Sequence, residues 1–566
     1  MTLFAVSEGV QAGMVPTEGS PHTVMVSTRE VQPRPVPGAA RAGGTVGTVG
    51  TGDEQAARRR WAVLAVLCLS LFIVSLDMTV LNVALPTIVR DMHATSSELQ
   101  WIVDAYGIVM AGLILAVGSM SDRLGRKWVY LCGLVVFATG SATSAFCTTP
   151  DHLIGARCLM GLGAAAIMPS TLSILTNVFV DGRDRAKAIG IWSGTTGLGV
   201  AVGPVAGGWL LAHFWWGSVF LVNVPIALGG ALAALALVPN SKDQHALRAD
   251  PVGSALSIAA MGLLLWGIIE APTDGWTSSS VLGALCGAAV VLAVFVTWEA
   301  RSSHPMLRMA FFANHRFSVA ISSMGFVIFA LMGALFLLTQ YLQFSLGLSA
   351  LETGLRIMPV SLLLLVTALL SNVLVRRVGT KVVVFCGLGI VAVGFALLSA
   401  VTMADSYGNV LPALLCLGGG TGLVFAPCTD AIMGSLPLEQ AGVGSATNGA
   451  VLQAGGALGV AILGSLLNGR YVARLRPVLA PFRIPAAVRH TITGSLGGAL
   501  GVAQQIGGHL GSDLALAGRS AFLSGLDLAV SVGAIVVGVA ALLVLATMPA
   551  RAAPPPDEGA KDPATL

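Results

Sequence analysis

Two carboxylates and one arginine lie inside or beside long apolar stretches of this chain: Asp77, Asp104 and Arg157. Asp77 stands about 16 residues into the first stretch, or about 24 Å along a helix that rises about 1.5 Å per residue. An isolated charge at that depth of a bilayer costs at least ~2.5–3.5 kcal/mol, so the side chain must face other helices, be paired or be protonated. Burial favours the neutral acid and a nearby cation favours the carboxylate. A carboxyl group held between these influences can load and release a proton.

Asp104 begins the second apolar stretch, in Trp101-Ile-Val-Asp104-Ala-Tyr106, and Arg157 enters the fourth stretch from the same side of the membrane. We predict that Arg157 pairs alternately with Asp77 and Asp104. Arrival of a proton would weaken the pair, and its departure would restore it. The alternative is a static ion pair that only holds two helices together.

The composition indicates that membrane helices position these side chains. The 566 residues are 55% hydrophobic and 10% charged, whereas soluble domains carry about 25% charged residues. Apolar windows of about 20 residues, each long enough to cross a bilayer, recur along most of the chain. The sequence therefore predicts an all-α polytopic membrane protein with about fourteen transmembrane helices. They are expected over roughly residues 61–86, 100–120, 128–147, 152–178, 186–212, 219–238, 252–271, 279–299, 317–340, 354–375, 381–401, 409–433, 443–467 and 519–548.

The lysines and arginines predict the orientation. Short loops on one side carry clusters such as Arg183, Arg185 and Lys187, whereas the short loops on the other side carry almost none beyond Arg90. Because positive loops stay inside, we expect both termini to be cytoplasmic and the protein to lie in the plasma (inner) membrane. The loop 468–518 is rich in arginine and falls outside, but long loops are exempt from this rule.

A compact block of glycines and charges follows the second stretch: Gly118-Ser-Met-Ser-Asp122-Arg123-Leu-Gly125-Arg126-Lys127. Its glycines permit a tight turn, and its acidic residue can cap a helix or pair with the arginines. Its last two cations would hold this cytoplasmic hinge loop at the membrane surface.

Parts of the sequence recur in the second half of the chain. Arg377-Val-Gly379-Thr-Lys381 repeats the end of the hinge loop, and Pro169-Ser-Thr171 recurs as Pro427-Cys-Thr429 at nearly the same spacing. This repeat predicts two pseudo-symmetric six-helix bundles with a two-helix insert, and a substrate site at the midplane between the bundles. The expected domains are a disordered cytoplasmic tail over 1–60, a bundle over 61–238, the insert over 239–316, a bundle over 317–548 that includes the long outer loop 468–518, and a disordered tail over 549–566.

Four motifs together resemble the major facilitator superfamily and, within it, the fourteen-span branch of drug:proton antiporters, over about residues 61–548. The hinge loop is the first. Leu76-Asp77-Met-Thr79-Val-Leu-Asn82-Val-Ala-Leu-Pro86 looks like the first-helix motif of that branch. Leu153-Ile-Gly-Ala-Arg157-Cys-Leu-Met-Gly161-Leu-Gly163 looks like the fourth-helix motif, whose arginine the resemblance links to proton transfer. The fourth is similar to the fifth-helix motif that marks exporters: Gly197-Leu-Gly-Val-Ala-Val-Gly203-Pro204-Val-Ala-Gly207-Gly208.

The residues of this exporter motif also have a mechanical interpretation. Pro204 removes a helical hydrogen bond and kinks the span, and the glycines permit close approach to a neighbouring helix. A tight seal there would limit proton leak. The alternative is an ordinary kinked membrane helix.

Four further polar residues are candidates for lining the substrate cavity: Gln340, Tyr341, Asp430 and Asn448. Anchoring at the membrane interface is the alternative for the first two, and helix capping is the alternative for Asp430. Asn448 is followed by Gly449, where members of the resembled family often have an acidic residue. This departure weakens the expectation that the protein handles polyvalent cations.

The sequence predicts a proton-coupled secondary antiporter that exports hydrophobic or amphipathic small molecules, such as drugs or antibiotics, by alternating access. A dedicated exporter of one natural product remains an alternative, as does, with less support, an uptake carrier of the same fold. The chain contains no GxxxxGK[ST] loop for an ATP-driven pump and no pair of cysteines spaced as CxxC. We expect no enzymatic activity, no cofactor, no metal and no nucleic-acid partner, but a small-molecule substrate, protons and the lipid bilayer. The resemblance implies a monomer.

Overall fold

The computed structural model describes residues 51–242, 250–302, 309–403, 406–435 and 441–548. The predicted tail over 549–566 lies outside these ranges, as does most of the predicted tail over 1–60. The chain divides into a short unit, Met1–Glu54, and a large unit, Gln55–Leu566. The site described below belongs to the large unit.

Within the described ranges the chain is helical, and fourteen segments are long and apolar enough to cross a membrane. This confirms the predicted fold class and number of spans. The first six spans are α1 Thr51–Met92, α2 Ser96–Leu124, α3 Arg126–Ala145, α4 Pro150–Val178, α5 Gly182–His213, and the consecutive helices α6 Ser218–Leu221 and α7 Asn223–Leu237.

The insert supplies two spans and the rest of the chain six. The insert contains α8 Pro251–Asp274 and α9 Ser279–Arg301. The later helices are α10 His315–Gln340, α11 Ala350–Val378, α12 Thr380–Ser399, α13 Tyr407–Met433, α14 Ala441–Leu479, α15 Ala486–Gly494, α16 Leu496–Ile506 and α17 Gly508–Thr547. A 3₁₀ turn, Met309–Ala313, precedes α10, and a π-helical turn, Tyr341–Ser345, continues it.

The helices pack in two groups. In the first group, α4 packs against α2 and α3, and α3 packs against α7; in the second, α13 packs against α11 and α12, and α14 packs against α10 and α17. The groups meet where α2 contacts α14 and where α5 contacts α11. Of the insert, α8 packs against α9 and also against both α2 and α14.

The internal repeat is visible in the backbone. A single glycine with positive φ links α2 to α3 (Gly125, φ 121°) and α11 to α12 (Gly379, φ 86°). The two long helices also begin alike, because Thr95 and Glu98 form a capping box on α2, and Ser349 and Glu352 form one on α11. This Ser/Thr-x-x-Glu pattern satisfies the free N–H groups of the first turn. The repeat therefore covers a whole helix and its turn, which extends beyond the block that the sequence analysis identified.

The stretch 468–518, expected to be a loop, contains helices. α14 continues to Leu479 and α17 begins at Gly508, with α15 and α16 between them. Tyr471 on α14 fixes this segment, since its hydroxyl donates to the carbonyls of Ile492 (2.9 Å) and Ser495 (3.1 Å). This arginine-rich stretch extends two spanning helices beyond the apolar windows. Between them it forms two short helices.

Candidate functional site

Asp77 and Arg157 form a buried ion pair. Arg157 Nη1 lies 2.5 Å from Asp77 Oδ2, and the two residues are 1% and 0% exposed. Asp77 comes from the middle of α1 and Arg157 from the second turn of α4. Because a buried charge without a partner is costly, the pair explains how both residues reside inside a membrane protein.

The second carboxylate oxygen of Asp77 has its own donor. Asn223, at the start of α7, donates from Nδ2 to Asp77 Oδ1 at 3.3 Å and contacts Ser141 Oγ on α3 at 3.2 Å. Ser141 in turn donates to the carbonyl of Phe220 at 2.7 Å. Asn223 was missed in the sequence analysis. The sequence does contain a signal for it: Asn223 is a polar residue within the apolar run Phe220-Leu-Val-Asn223-Val-Pro225, and a buried polar side chain requires a hydrogen-bond partner.

The guanidinium of Arg157 is held from several sides. Its Nε donates to the carbonyl of Ile102 on α2 at 3.1 Å. Its Cζ lies 4.5 Å from the ring centroid of Tyr106 and 6.0 Å from that of Phe220, distances at which cation–π attraction acts. The pair therefore joins α1, α2, α4 and the α6–α7 span at one point.

Asp104 lies apart from this pair in the present state. Its side chain is 1% exposed, and neither carboxylate oxygen has a hydrogen-bond partner among the described residues. On the same helix, Gly107 faces Gln453 of α14, and Ile108 packs against Leu265 and Ile269 of α8. Asp104 thus stands on the helix that contacts the second group and the insert. The structure does not bring it to Arg157.

The hinge loop is tied together within the first group. Arg126 Nε lies 2.6 Å from Asp122 Oδ1, one helical turn earlier in the chain. Lys127 Nζ donates to the carbonyl of Leu235 near the end of α7 at 2.8 Å. Gly118 faces Pro169 of α4, where a Cβ would stand 3.3 Å from the proline ring, and Arg123 is exposed. The loop binds α2, α3, α4 and α7 at one end of the molecule, which we call the hinge-loop end.

One face of the exporter motif packs on α1. Gly199, Gly203 and Gly207 follow each other at four-residue intervals, and a Cβ on any of them would crowd the α1 backbone or side chains between Phe72 and Val80. The first glycine of the motif behaves differently, since a Cβ on Gly197 would meet nothing within 4 Å. The motif is therefore visible in the sequence, whereas its packing face, which includes Gly199, is visible only in the structure.

Thr79 compensates for the hydrogen bond that Pro204 removes. Because proline has no N–H, the carbonyl of Val200, four residues earlier, loses its helical donor. Thr79 Oγ1 on α1 donates to that carbonyl at 3.3 Å. A Cβ on Gly203 would overlap this hydroxyl, so the glycine, the proline and the threonine form one packing unit.

The opposite face of the motif contacts the second group. A Cβ on Gly208 would stand 2.6 Å from the carbonyl oxygen of Ala350, at the start of α11. A Cβ on Gly354 of α11 would overlap the carbonyl oxygen of Pro204. Helix α5 therefore lies between α1 on one side and α11 on the other.

The candidate cavity residues lie at different places. Gln340 is 5% exposed, and its Nε2 donates to the carbonyl of Phe336 on its own helix. Tyr341, 1% exposed, begins the π-helical turn. Asn448 is 9% exposed and its Oδ1 has no hydrogen-bond partner among the described residues, whereas Asp430 is exposed near the end of α13. Within the described part of the chain these residues form no common cluster.

Comparison with known proteins identifies the family. The model of the Major Facilitator Superfamily matches residues 67–460. The chain belongs to the Major Facilitator Superfamily. This confirms the resemblance seen in the motifs.

Two relatives place the chain among the superfamily's exporters. It is 35% identical over 490 residues to the multidrug efflux pump LfrA of Mycolicibacterium smegmatis (strain ATCC 700084 / mc(2)155), covering 86% of this chain and 96% of that protein. It is 32% identical over 513 residues to the tetracenomycin C resistance and export protein of Streptomyces glaucescens, covering 89% and 94%. The chain is thus a multi-pass membrane transporter of the efflux type, related to multidrug resistance pumps, and not an enzyme.

The superfamily fold is also found by comparison of structures. The structure of this chain is similar to the crystal structure of a bacterial homolog of the human lysosomal transporter Spinster in an inward-facing and unoccupied conformation. The TM-score is 0.58 and the sequence identity is 16%. The match covers 88% of this chain and 99% of that one.

Proposed function

We propose that this superfamily member is a proton-coupled antiporter that exports hydrophobic or amphipathic small molecules across the plasma membrane by alternating access. The observation that carries the proposal is the buried pair of Asp77 and Arg157. A proton arriving at Asp77 neutralises one partner and weakens the attraction that holds α1 to α4. Its departure restores the pair, so the proton and the arrangement of these helices are linked.

The α1 backbone connects this pair to the contact between the halves. Thr79 follows Asp77 by two residues and donates to Val200 of α5. Pro204 and Gly208, one to two turns further along α5, contact α11. A shift of α1 on protonation therefore reaches the contact of the two halves through rigid, closely packed backbone, which is how small local changes switch such interfaces.

The present state is closed at the end opposite the hinge loop. There, Gln343 Nε2 donates to the carbonyl of Val83 at 2.9 Å, and Ser96 Oγ donates to the carbonyl of Gly494 at 2.9 Å. Gly208 packs against Ala350 at the same end. With the hinge loop in the cytoplasm and both termini inside, as the positive-inside rule predicts, this state has a closed outer side.

We assign Asp104 the second proton-carrying role. An ionised carboxylate buried without a donor is strongly disfavoured, and both oxygens of Asp104 lack one within the described part of the chain. This environment suits a carboxyl group that holds a proton in the present state and becomes Arg157's alternative partner after α1 or α2 shifts. A purely structural role would leave such a costly group unexplained.

A dedicated exporter of one natural product is the second candidate. The relative that supports it is the tetracenomycin C resistance and export protein, whereas LfrA supports a broad multidrug pump. A drug-hypersensitive host that carries this chain would separate the two when exposed to a panel of cationic dyes and neutral antibiotics. Resistance across chemical classes favours the broad pump, and resistance to one class favours the dedicated exporter.

Proton coupling is tested with purified protein in liposomes, using a substrate from that panel. An imposed pH gradient should drive uphill transport by the wild-type protein but not by Asp77→Asn. Exchange of labelled for unlabelled substrate without a gradient should persist in the variant, since exchange requires no net proton movement. Asp527→Asn is the matched control, because Asp527 also lies in a spanning helix but is exposed and accepts a hydrogen bond from Ser531 of its own helix. Gradient-driven transport at the wild-type level in Asp77→Asn would refute the coupling role.

A further inference from the structure

A cavity of about 880 Å³ opens at the end of the molecule opposite the hinge loop. The end of α1, the π-helical turn after α10, the two short helices α15 and α16, and α17 form its wall. It is separate from the Asp77–Arg157 pair, which lies inside the first group of helices. Its volume is in the range of sites for small organic ligands.

The titratable side chains that line this cavity are basic. Arg90, His93 and Arg519 line it, together with the amide side chains of Gln343, Gln504 and Gln505. Among the described residues, no aspartate or glutamate lines it. Two permanent cations with no lining acid give the space a positive potential, which a concave wall concentrates.

Arg90 and His93 are each placed by a specific feature. The guanidinium Cζ of Arg90 lies 5.4 Å from the ring centroid of Phe344 in the π-helical turn. His93 follows the last residue of α1 with φ 55°, and it is the one non-glycine with positive φ among the described residues. This left-handed C-terminal residue ends the helix and turns the chain toward α2. The fold therefore places the Arg90 guanidinium and the His93 backbone at the cavity wall.

Arg519 has donor capacity left over. Its Nε is buried and has no hydrogen-bond partner among the described residues. A buried donor without an acceptor costs about 1–3 kcal/mol, so an acceptor that enters the cavity would relieve this cost. The remaining wall is partly apolar, with Val89, Phe344 and Leu500.

We propose that this cavity binds an anionic amphipathic ligand, with its acidic group between Arg90 and Arg519 and its apolar body against Phe344 and Leu500. Guanidinium groups suit carboxylate and phosphate oxygens in particular. The acidic group can come from an exported compound on its way out or from the headgroup of an anionic phospholipid. The outer location rests on the proposed orientation, but the binding does not depend on proton coupling.

The first test measures binding of a matched pair of probes. The full chain is placed in nanodiscs of phosphatidylcholine and titrated calorimetrically with 1-naphthaleneacetate and with the neutral 1-naphthaleneacetamide. The acid should bind at least tenfold more tightly than the amide. Arg519→Gln and Arg90→Gln should each remove that difference, whereas Arg519→Lys, which keeps the charge, should retain part of it.

Arg489→Gln is the control, because Arg489 is exposed on α15 at the same end but does not line the cavity. It changes the net charge equally and should leave the preference for the acid intact. An equal preference in wild type and in both cavity variants would overturn the proposal for a free acidic ligand.

The second test addresses the lipid source. Native mass spectrometry of protein extracted from nanodiscs that contain phosphatidylglycerol counts retained lipids in wild type, Arg90→Gln/Arg519→Gln and Arg489→Gln. Loss of one retained lipid in the double variant alone assigns a phospholipid headgroup. Binding of the acid without such a loss assigns an exported acidic compound. If neither the binding of the acid nor the number of retained lipids depends on these arginines, the site is overturned. Gradient-driven transport of the same variants is measured separately and bears on the proposed function.

Discussion

Pro204 of α5 and Gly354 of α11 touch backbone to backbone across the two halves of the transporter. The carbonyl oxygen of Pro204 occupies the place where any side chain at position 354 would begin. One turn further along α5, Gly208 makes a similar contact with Ala350. Under the proposed alternating access, this contact would break when the end opposite the hinge loop opens, so its tightness would contribute to the balance between the two open states.

Replacing Gly354 with alanine should destabilise the closed outer end. The added Cβ overlaps the Pro204 carbonyl, so α5 and α11 must separate. Spin labels at His213→Cys and Phe482→Cys, both exposed positions on opposite halves, should report a larger population of long distances in electron–electron double resonance. Gly389→Ala is the control, because a Cβ there meets nothing within 4 Å. An unchanged distance distribution in Gly354→Ala would contradict this role.

Replacing Gly203 with alanine should loosen α5 from α1. The new Cβ would overlap Thr79 Oγ1, and overpacking of this kind costs about 1–3 kcal/mol. The melting temperature of the purified protein and its transport should both fall. Gly197→Ala lies in the same motif without a contact and should change neither.

The same site permits a rescue experiment. Thr79→Ala removes the overlapping hydroxyl, and the nearest remaining atoms, the carbonyl oxygen of Leu76 and the Cβ of residue 79, would each stand 3.1 Å from the new Cβ. The double variant Gly203→Ala/Thr79→Ala should therefore melt at a higher temperature than Gly203→Ala. Additive losses in the double variant would show that the two residues do not form a unit.

Replacing Asn223 with alanine should weaken the surroundings of Asp77. Asp77 Oδ1 loses its donor, and a buried acceptor left unsatisfied costs about 1–3 kcal/mol. We expect a lower melting temperature and poorer coupling of transport to the pH gradient. Asn468→Ala removes a similarly buried asparagine, 4% exposed, from α14 and should leave the coupling unchanged. Equal coupling in both variants would exclude Asn223 from the proton site.

Replacing Asp77 or Asp104 with asparagine should have different effects on the melting temperature. Removing one partner of a buried ion pair typically costs about 3–5 kcal/mol, so Asp77→Asn should lower the melting temperature. The described residues offer Asp104 no hydrogen-bond partner that could be lost, so Asp104→Asn should leave the melting temperature unchanged or raise it while reducing gradient-driven transport. Undiminished gradient-driven transport in Asp104→Asn would leave Asp104 without a role in coupling.

The spanning helices of this protein could be predicted from its sequence alone. Apolar length fixed the fourteen spans, because a bilayer requires about 20 apolar residues for each crossing. The cost of burying charge singled out Asp77 and Arg157, and the glycines, which permit a sharp turn, indicated the hinge turn around Gly125 and its repeat around Gly379. The order of these signals along the chain also indicated the family.

Only the tertiary structure decided which faces meet. It placed Gly199 rather than Gly197 against α1, gave Asp77 a donor in Asn223, left Asp104 without a donor among the described residues, and brought Pro204 against Gly354. Helical periodicity shows that a residue needs a neighbour, but the neighbour comes from another helix far away in the chain. The choice depends on how all the helices pack together in space, and no local stretch of sequence carries that information.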